Sequence, residues 1–290
     1  MLIERDLRVR IANDARRVAE TALAEDGERD VTTEACVPAG QIATGVLECR
    51  SAGIAAGLAY ADAVAGACDL IPINWFHAPG TSLPAGATLG LVQGDLASIL
   101  RAERPLLNLV QRAIGIATMT RAFVDRVQGT GTAILHTRKT APGLRLLDVS
   151  SVLAGGGQVH RLDLATTLMV KDNHWQALRQ AGRSLTSAIE AARSRGIGDC
   201  FVEVETPEQV AEACAAGASR LLIDNQRPET VRAWAADARR RRPDIQIEAT
   251  GGITLDNVRS YAEAGADFIS LGVLTHSVKA ADVSLEVKEE

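Results

Sequence analysis

The sequence predicts an α/β protein: an N-terminal α/β sandwich-like domain, then an incomplete α/β (TIM-like) barrel. Three observations predict it. Six strand-like apolar runs recur between residues 133 and 272, the later ones separated by Ala-rich helical stretches. Apolar runs spaced by helices mean parallel strands covered by helices. Residues 27–100 have another texture, with short runs (ATGVLEC, GIAAGLAY, ATLGLVQG) broken at Pro79-Gly80 and Pro84-Ala85-Gly86, as in a small β-rich module. No G-x-G-x-x-G follows a strand and no P-loop is present, which disfavours a doubly wound nucleotide fold.

In order, residues 3–25 carry Ile3, Leu7, Ile11, Ala15, Val18 and Ala22 at helical spacing. Residues 105–127 return to helix with a broad apolar face that includes Leu106, Val110, Ala113 and Ala117. The barrel strands are read at 133–137, 167–171, 200–205, 220–224, 245–249 and 267–272. Helices are read at 184–195, 207–216, 228–241 and 254–264. Thr206 and Thr254 are read as N-caps, Pro207 as a first-turn residue, and Gly196, Gly217 and Gly265 as helix ends. The domains are placed at 1–110 and 111–276, with the tail 277–290 packing on the first.

The 290 residues are 47% hydrophobic and 23% charged, a globular balance that excludes a disordered tail protein. A net charge of −5 argues against a broad nucleic-acid-binding face. Five scattered cysteines without C-x-x-C spacing predict reduced thiols in a cytoplasm. The charged start MLIERDLRVR reads as no signal peptide, and no apolar run is long enough for a membrane span. Of 31 cationic residues only Lys139, Lys171, Lys279 and Lys288 are lysines. The two in mid-chain stand where a compact ammonium, not a guanidinium, is expected to matter.

In an α/β barrel, chemistry collects at the carboxyl ends of the strands. Those ends read Thr137-Arg138-Lys139-Thr140, Lys171-Asp172-Asn173-His174, Glu203 with Glu205, Asp224-Asn225, Glu248 then Thr250-Gly251-Gly252, and Gly272 with His276 beyond. His160-Arg161 lie between the first two. So many cations in an acidic protein predict an anionic ligand. Glu203 and Asp224 would share Mg²⁺ near phosphates, directly or through water; the alternative is a salt bridge to Lys139 or Lys171. Gly251-Gly252 and Gly272 would let backbone N–H groups reach a phosphate, and a helix starting at Thr254-Leu255 would add its dipole. No nucleophile stands out, so positioning and electrostatics are expected to carry the chemistry.

The segments ERPLLNLVQRAIGIAT, TRKTAPGLRLLD, AGGGQVHRLDL, VKDNHW, VEVET, LLIDN, EATGGI and LGVLTHS, in this order, resemble the quinolinate phosphoribosyltransferase (nicotinate-nucleotide pyrophosphorylase, carboxylating) family. The resemblance implies a homodimer or higher homo-oligomer with shared sites. It implies joining quinolinate to phosphoribosyl pyrophosphate with Mg²⁺, giving nicotinate mononucleotide, pyrophosphate and carbon dioxide in NAD biosynthesis. It implies Arg104 (from the partner subunit), Arg138, His160, Arg161 and Lys171 at the two quinolinate carboxylates. It places Lys139, Asn173 and His174 near the pyrophosphate, and Glu203 and Asp224 at the ribose and metal. Thr250, Gly251, Gly252, Gly272 and His276 would surround the 5′-phosphate. Lys139, Lys171, Glu203 and Asp224 would be catalytic. The sequence departs from the family's usual residues at Pro105, His136, Ser150, Ser151, Asp163 and Thr166, around the acid pocket rather than the phosphate half. Other readings are a paralogue taking another acidic substrate, as in molybdenum-transport relatives, or an inactive ligand-binding scaffold. KDNH argues against the first, and the retained Lys139, Lys171, Glu203 and Asp224 against the second.

Overall fold

The computed structural model describes residues 2–288. Its elements are α1 (Leu2–Glu25), α2 (Val31–Cys36), β1 (Ile42–Cys49), β2 (Gly53–Ile54), α3 (Leu58–Ala67), β3 (Asn74–Trp75), β4 (Ser82–Leu83), β5 (Ala87–Asp95) and α4 (Leu96–Arg126). Then come β6 (Ala133–Leu135), α5 (Arg145–Ala154), β7 (Leu168–Val170), α6 (Asp172–Gln180), α7 (Leu185–Arg193), β8 (Cys200–Val204), α8 (Pro207–Ala216) and β9 (Arg220–Asp224). The last are α9 (Pro228–Arg241), β10 (Gln246–Thr250), α10 (Val258–Glu263), β11 (Phe268–Ser270), α11 (Val273–His276) and β12 (Val283–Lys288). They form two compact units. One comprises 1–121, 139–156 and 273–290; the other comprises 122–138 and 157–272.

The first unit holds an antiparallel sheet of order β12-β1-β5-β3. Its terminal strand β12 pairs with β1 from Thr44↔Lys288 to Cys49↔Val283. Along β1 buried and outward residues alternate, as a sheet with one packed face requires. That face meets a core that includes Leu47, Tyr60, Leu89, Ile99, Leu106 and Ile114. GIAAGLAY is not a strand throughout: after β2 it turns at Gly57 into α3. Gly57 has φ +80°, and a Cβ there would collide with Ala113 on α4, so the turn and the close helix approach both need glycine. Helix α4 starts at Leu96, well before residue 105, because Asp95 accepts the Ser98 N–H and Pro105 is carried inside the helix. The side chain of Ile3 lies outside the described residues.

The second unit is the barrel. Its six strands run parallel in the order β6-β11-β10-β9-β8-β7, so β6 and β7 are the two unjoined edges of an incomplete barrel. Beside β6, Gln158 N–H donates to Ile134 O, and Leu135 and Gln158 form a parallel bridge. The strand registers put Val202, Ile223, Ile247, Ile269 and Ile134 on one face, all essentially buried. Each such side chain stabilises the fold by about 1.5–3 kcal/mol, so this face supplies the apolar core. On the opposite face Met169, Phe201 and Leu222 form a smaller apolar cluster, with Leu135 and Phe268 beside it. That face is therefore free to carry polar groups.

Helix α8 opens as expected. Thr206 accepts the Gln209 N–H, Pro207 follows, and Gly217 ends it in the left-handed region. The expected start at Thr254-Leu255 is corrected, because α10 begins at Val258. Asn257 turns back, its Oδ1 accepting the Thr254 N–H and its amide donating to Gly252 O, which winds residues 252–257 into turns. The helix left is only six residues long, so its dipole is not an anion site here. The helices α5 and α6 were not expected from the sequence.

Candidate active site

Within the barrel unit the pairing Glu203↔Leu222, Glu248↔Leu222, Thr250↔Asp224 and Thr250↔Ser270 sets these residues on the inner face. Lys171 stands one residue past β7 as the N-cap of α6, and its Nζ donates to Glu203 Oε2. The Glu203 side chain is 7% exposed and the Lys171 side chain 42%. This is the salt bridge weighed as an alternative above. Trp175 locks the strand beneath by donating Nε1–H to Glu203 O at 2.8 Å. His174 Nδ1 accepts the Lys171 N–H at 3.0 Å, which leaves the ring proton on Nε2. Asn173 and His174 are exposed on the first turn of α6.

Beyond Asp224, Asn225 takes φ +51° and donates its side-chain amide to Asp224 Oδ2 at 2.7 Å. Its backbone N–H donates to Thr250 O at 2.9 Å. The ends of β9 and β10 are thereby tied together. Gly251 packs against this turn, and any Cβ there would overlap the Asn225 side chain. At Gly252, with φ +64°, a Cβ would meet nothing within 4 Å. Thr250, Gly251, Gly252 and Gly272 thus share the same strand-end rim, with open space before Gly252.

Two cations share the opposite edge of this unit. Burial, then the Arg138 guanidinium nearby, pull the Arg161 pKa below its ordinary value. Arg138 Nε is buried with no hydrogen-bond partner. His160 beside them is fully engaged. Its Nδ1 accepts the Arg161 N–H at 2.7 Å and its Nε2 donates to Glu248 Oε2 at 3.2 Å. Its own N–H donates to His136 Nε2 at 3.0 Å. Glu248 is fully buried and also accepts from Arg220 Nη1 at 3.0 Å. The Arg220 guanidinium lies between the Phe201 and Phe268 rings, 4.3 and 3.9 Å from their centroids, a cation–π sandwich.

In the other unit Lys139, which directly follows Arg138, is exposed. Its backbone O accepts from Thr275 Oγ at 2.8 Å. Asp148, fully buried, accepts from Arg112 Nε and Nη2 at 2.8 Å each and from the Ala141 N–H at 3.2 Å. Arg112 also donates to Thr275 O. One ion pair therefore pins α4, α5, α11 and the Lys139–Ala141 segment. Arg104 is exposed on α4 with Glu103 at 3.7 Å, and His276 Nδ1 lies 2.6 Å from Ser277 Oγ.

Sequence reading missed Asp148, Arg112 and Arg220. Only Glu248 left a signal, an acid within an otherwise apolar strand.

Arg138, Arg161, Lys171, Glu203, Asp224 and a double-glycine turn thus lie at the strand ends of one parallel barrel, the place where α/β-barrel enzymes carry their chemistry. Residues 30–114 match the quinolinate phosphoribosyl transferase N-terminal domain and residues 116–286 its C-terminal domain. The chain belongs to the quinolinate phosphoribosyltransferase family. It is 38% identical over 280 residues to nicotinate-nucleotide pyrophosphorylase (carboxylating) of Mycobacterium leprae, covering 94% of this chain and 97% of that one. It is 35% identical over 278 residues to the probable enzyme of that name from Methanothermobacter thermautotrophicus, covering 93% and 98%. The solved nicotinate-nucleotide pyrophosphorylase from Francisella tularensis superposes with a TM-score of 0.88 at 32% identity, over 96% of this chain and 97% of that one.

Proposed function

We propose that this chain is a pentosyltransferase that joins quinolinate to phosphoribosyl pyrophosphate and removes one carboxylate. The products are nicotinate mononucleotide, pyrophosphate and carbon dioxide, a step of NAD biosynthesis. The observation that carries the proposal is the half-buried cation pair Arg138 and Arg161, with the buried Arg138 Nε left without a hydrogen-bond partner. Such a pair is satisfied by a planar dianion, which guanidinium forks grip bidentately. Lys171, and Arg104 from a second subunit, complete the grip on the two carboxylates.

Asn173 and His174 take the pyrophosphate, and the family resemblance assigns Lys139 to it as well. Thr250, Gly251, Gly252 and Gly272 take the 5′-phosphate, the glycines through backbone N–H groups, and the family resemblance assigns His276 to it as well. As the C1–O bond to pyrophosphate breaks, the oxygen keeps the electron pair. The quinolinate nitrogen lone pair then forms the bond to C1. Glu203 and Asp224 stabilise the positive charge that develops on the ribose. In the adduct the bond from C2 to its carboxylate breaks, leaving its pair beside the cationic ring nitrogen. C2 takes up a proton and carbon dioxide departs.

Among the described residues no three His, Cys, Asp or Glu side chains cluster as a metal cage. Two carboxylates on neighbouring strands suit Mg²⁺, which is commonly held by one or two carboxylates together with substrate phosphates. Glu203 and Asp224 would hold it, directly or through water, and it would offset charge on the departing pyrophosphate. A homodimer sharing sites through Arg104 accords with the exposure of that side chain on α4. Cytoplasmic residence accords with five free thiols, and no described helix is long and apolar enough to cross a membrane.

Turnover across pyridine mono- and dicarboxylates tests the reading. Quinolinate alone should be consumed with phosphoribosyl pyrophosphate and Mg²⁺. Preference for a monocarboxylate would overturn it.

A further inference from the structure

The His160 ring has no nitrogen left for a substrate: Nδ1 accepts the Arg161 N–H, and the Nε2 proton goes to Glu248. Its backbone N–H is spent on His136 Nε2, and His136 in turn has its Nδ1 3.1 Å from Thr137 O. These contacts fix two opposite tautomers, Nδ1–H at His136 and Nε2–H at His160. They join the end of β6 to the segment carrying Arg161.

The segment begins as a strand partner of β6, Gln158 N–H donating to Ile134 O. Two residues further on a continuing strand would need a backbone carbonyl to receive the His160 N–H. The His136 ring supplies that acceptor instead, and it is completely buried. Below, Glu248 is anchored by Arg220, itself wedged between two rings. The chain Thr137–His136–His160–Glu248–Arg220 is therefore a rigid strut from the strand end to the barrel interior. Arg161 is attached at its middle.

We propose that His136 and Glu248 are positioning residues for quinolinate, acting through a His160 ring that orients Arg161 and does not itself touch the substrate. The kinetic part rests on the reaction proposed above; the tautomers do not.

His136→Leu removes the acceptor while keeping an apolar filling, and His136→Gln restores an acceptor near the position of Nε2. The leucine variant should raise KM for quinolinate about tenfold or more while KM for phosphoribosyl pyrophosphate stays within about twofold. The glutamine variant should stay within about threefold of the parent on both. A role in folding alone would lower the yield or the unfolding midpoint of the leucine variant without moving the quinolinate KM selectively, and that result would overturn the proposal.

Nitrogen-15 spectra of the unmutated protein labelled at its five histidines supply a test independent of any variant folding. One buried histidine should hold the Nδ1–H tautomer and another the Nε2–H tautomer, both unchanged on adding quinolinate. A His160 resonance that shifts as quinolinate binds, or a His136 in the Nε2–H form, would refute the strut. If the unmutated protein fails to turn over quinolinate but shows both tautomers, the reaction is wrong and the strut stands.

Discussion

Arg112 grips Asp148 through two parallel hydrogen bonds of 2.8 Å, and the carboxylate has no exposure to solvent. Removing one member of such a buried pair costs about 3–5 kcal/mol, because the other charge is left without a partner. Part of the Arg112 side chain reaches solvent, so the lower end applies. Asp148→Ala should lower unfolding free energy by about 3 kcal/mol in urea titrations. A change under about 1 kcal/mol, the size expected of a surface pair, would contradict the assignment.

The same pair braces Ala141 and, through Thr275, the Lys139 carbonyl. A compact ammonium set on a braced segment is not replaced by a longer planar guanidinium. Lys139→Arg is expected to lower kcat/KM by about 100-fold or more, with the urea midpoint unchanged. Steady-state kinetics at saturating Mg²⁺ check this, and near-parental rates would remove Lys139 from the reaction.

Glu248 gives the acid side of stability a definite sign. Burial alone would raise its carboxyl. The hydrogen bond from His160 and the Arg220 cation outweigh burial and hold it below its ordinary value of 4.5. A depressed carboxyl contributes stability that is complete above the unfolded pKa and is lost as pH falls through the folded one. Stability should therefore decline as pH drops below about 4.5, and Glu248→Gln should flatten that decline. Urea melts between about pH 3 and 6 compare the two proteins. Equal slopes would mean the carboxylate is not preferentially ionised in the fold.

A shared site has a test of its own. Arg104→Ala and Lys171→Ala proteins, each inactive alone, should recover up to about a quarter of parental activity when unfolded and refolded together in equal amounts, because random pairing yields sites lacking neither residue. Absence of recovery at every mixing ratio would place Arg104 and Lys171 in the same subunit's site.

The barrel was legible because its strands are short apolar runs ending in polar or glycine residues, and β8, β9 and β10 fall within a residue or so of their expected bounds. Thr206-Pro207 and Gly217 spelled out α8 through local chemistry alone. The failures share a physical cause. Pro105 and Gly57 look like breaks, yet the first is tolerated inside a long packed helix and the second is required where α3 approaches α4. At the rim, Lys171, Glu203 and Asp224 were readable as strand ends. The partners that fix their neighbours were not. Arg220 and Asp148 are 28 and 36 residues from the atoms they bind, and nothing in a linear pattern pairs them. His136 looked only like a departure from the family, and its part in seating His160 needed three dimensions to see.

The most direct measurement follows the fate of one carboxylate. Quinolinate labelled in its 2-carboxylate, supplied with phosphoribosyl pyrophosphate and Mg²⁺, should release the label as carbon dioxide in step with pyrophosphate, leaving unlabelled nicotinate mononucleotide. Pyrophosphate release with the label retained in the nucleotide, or no release of either by folded protein, would contradict the account.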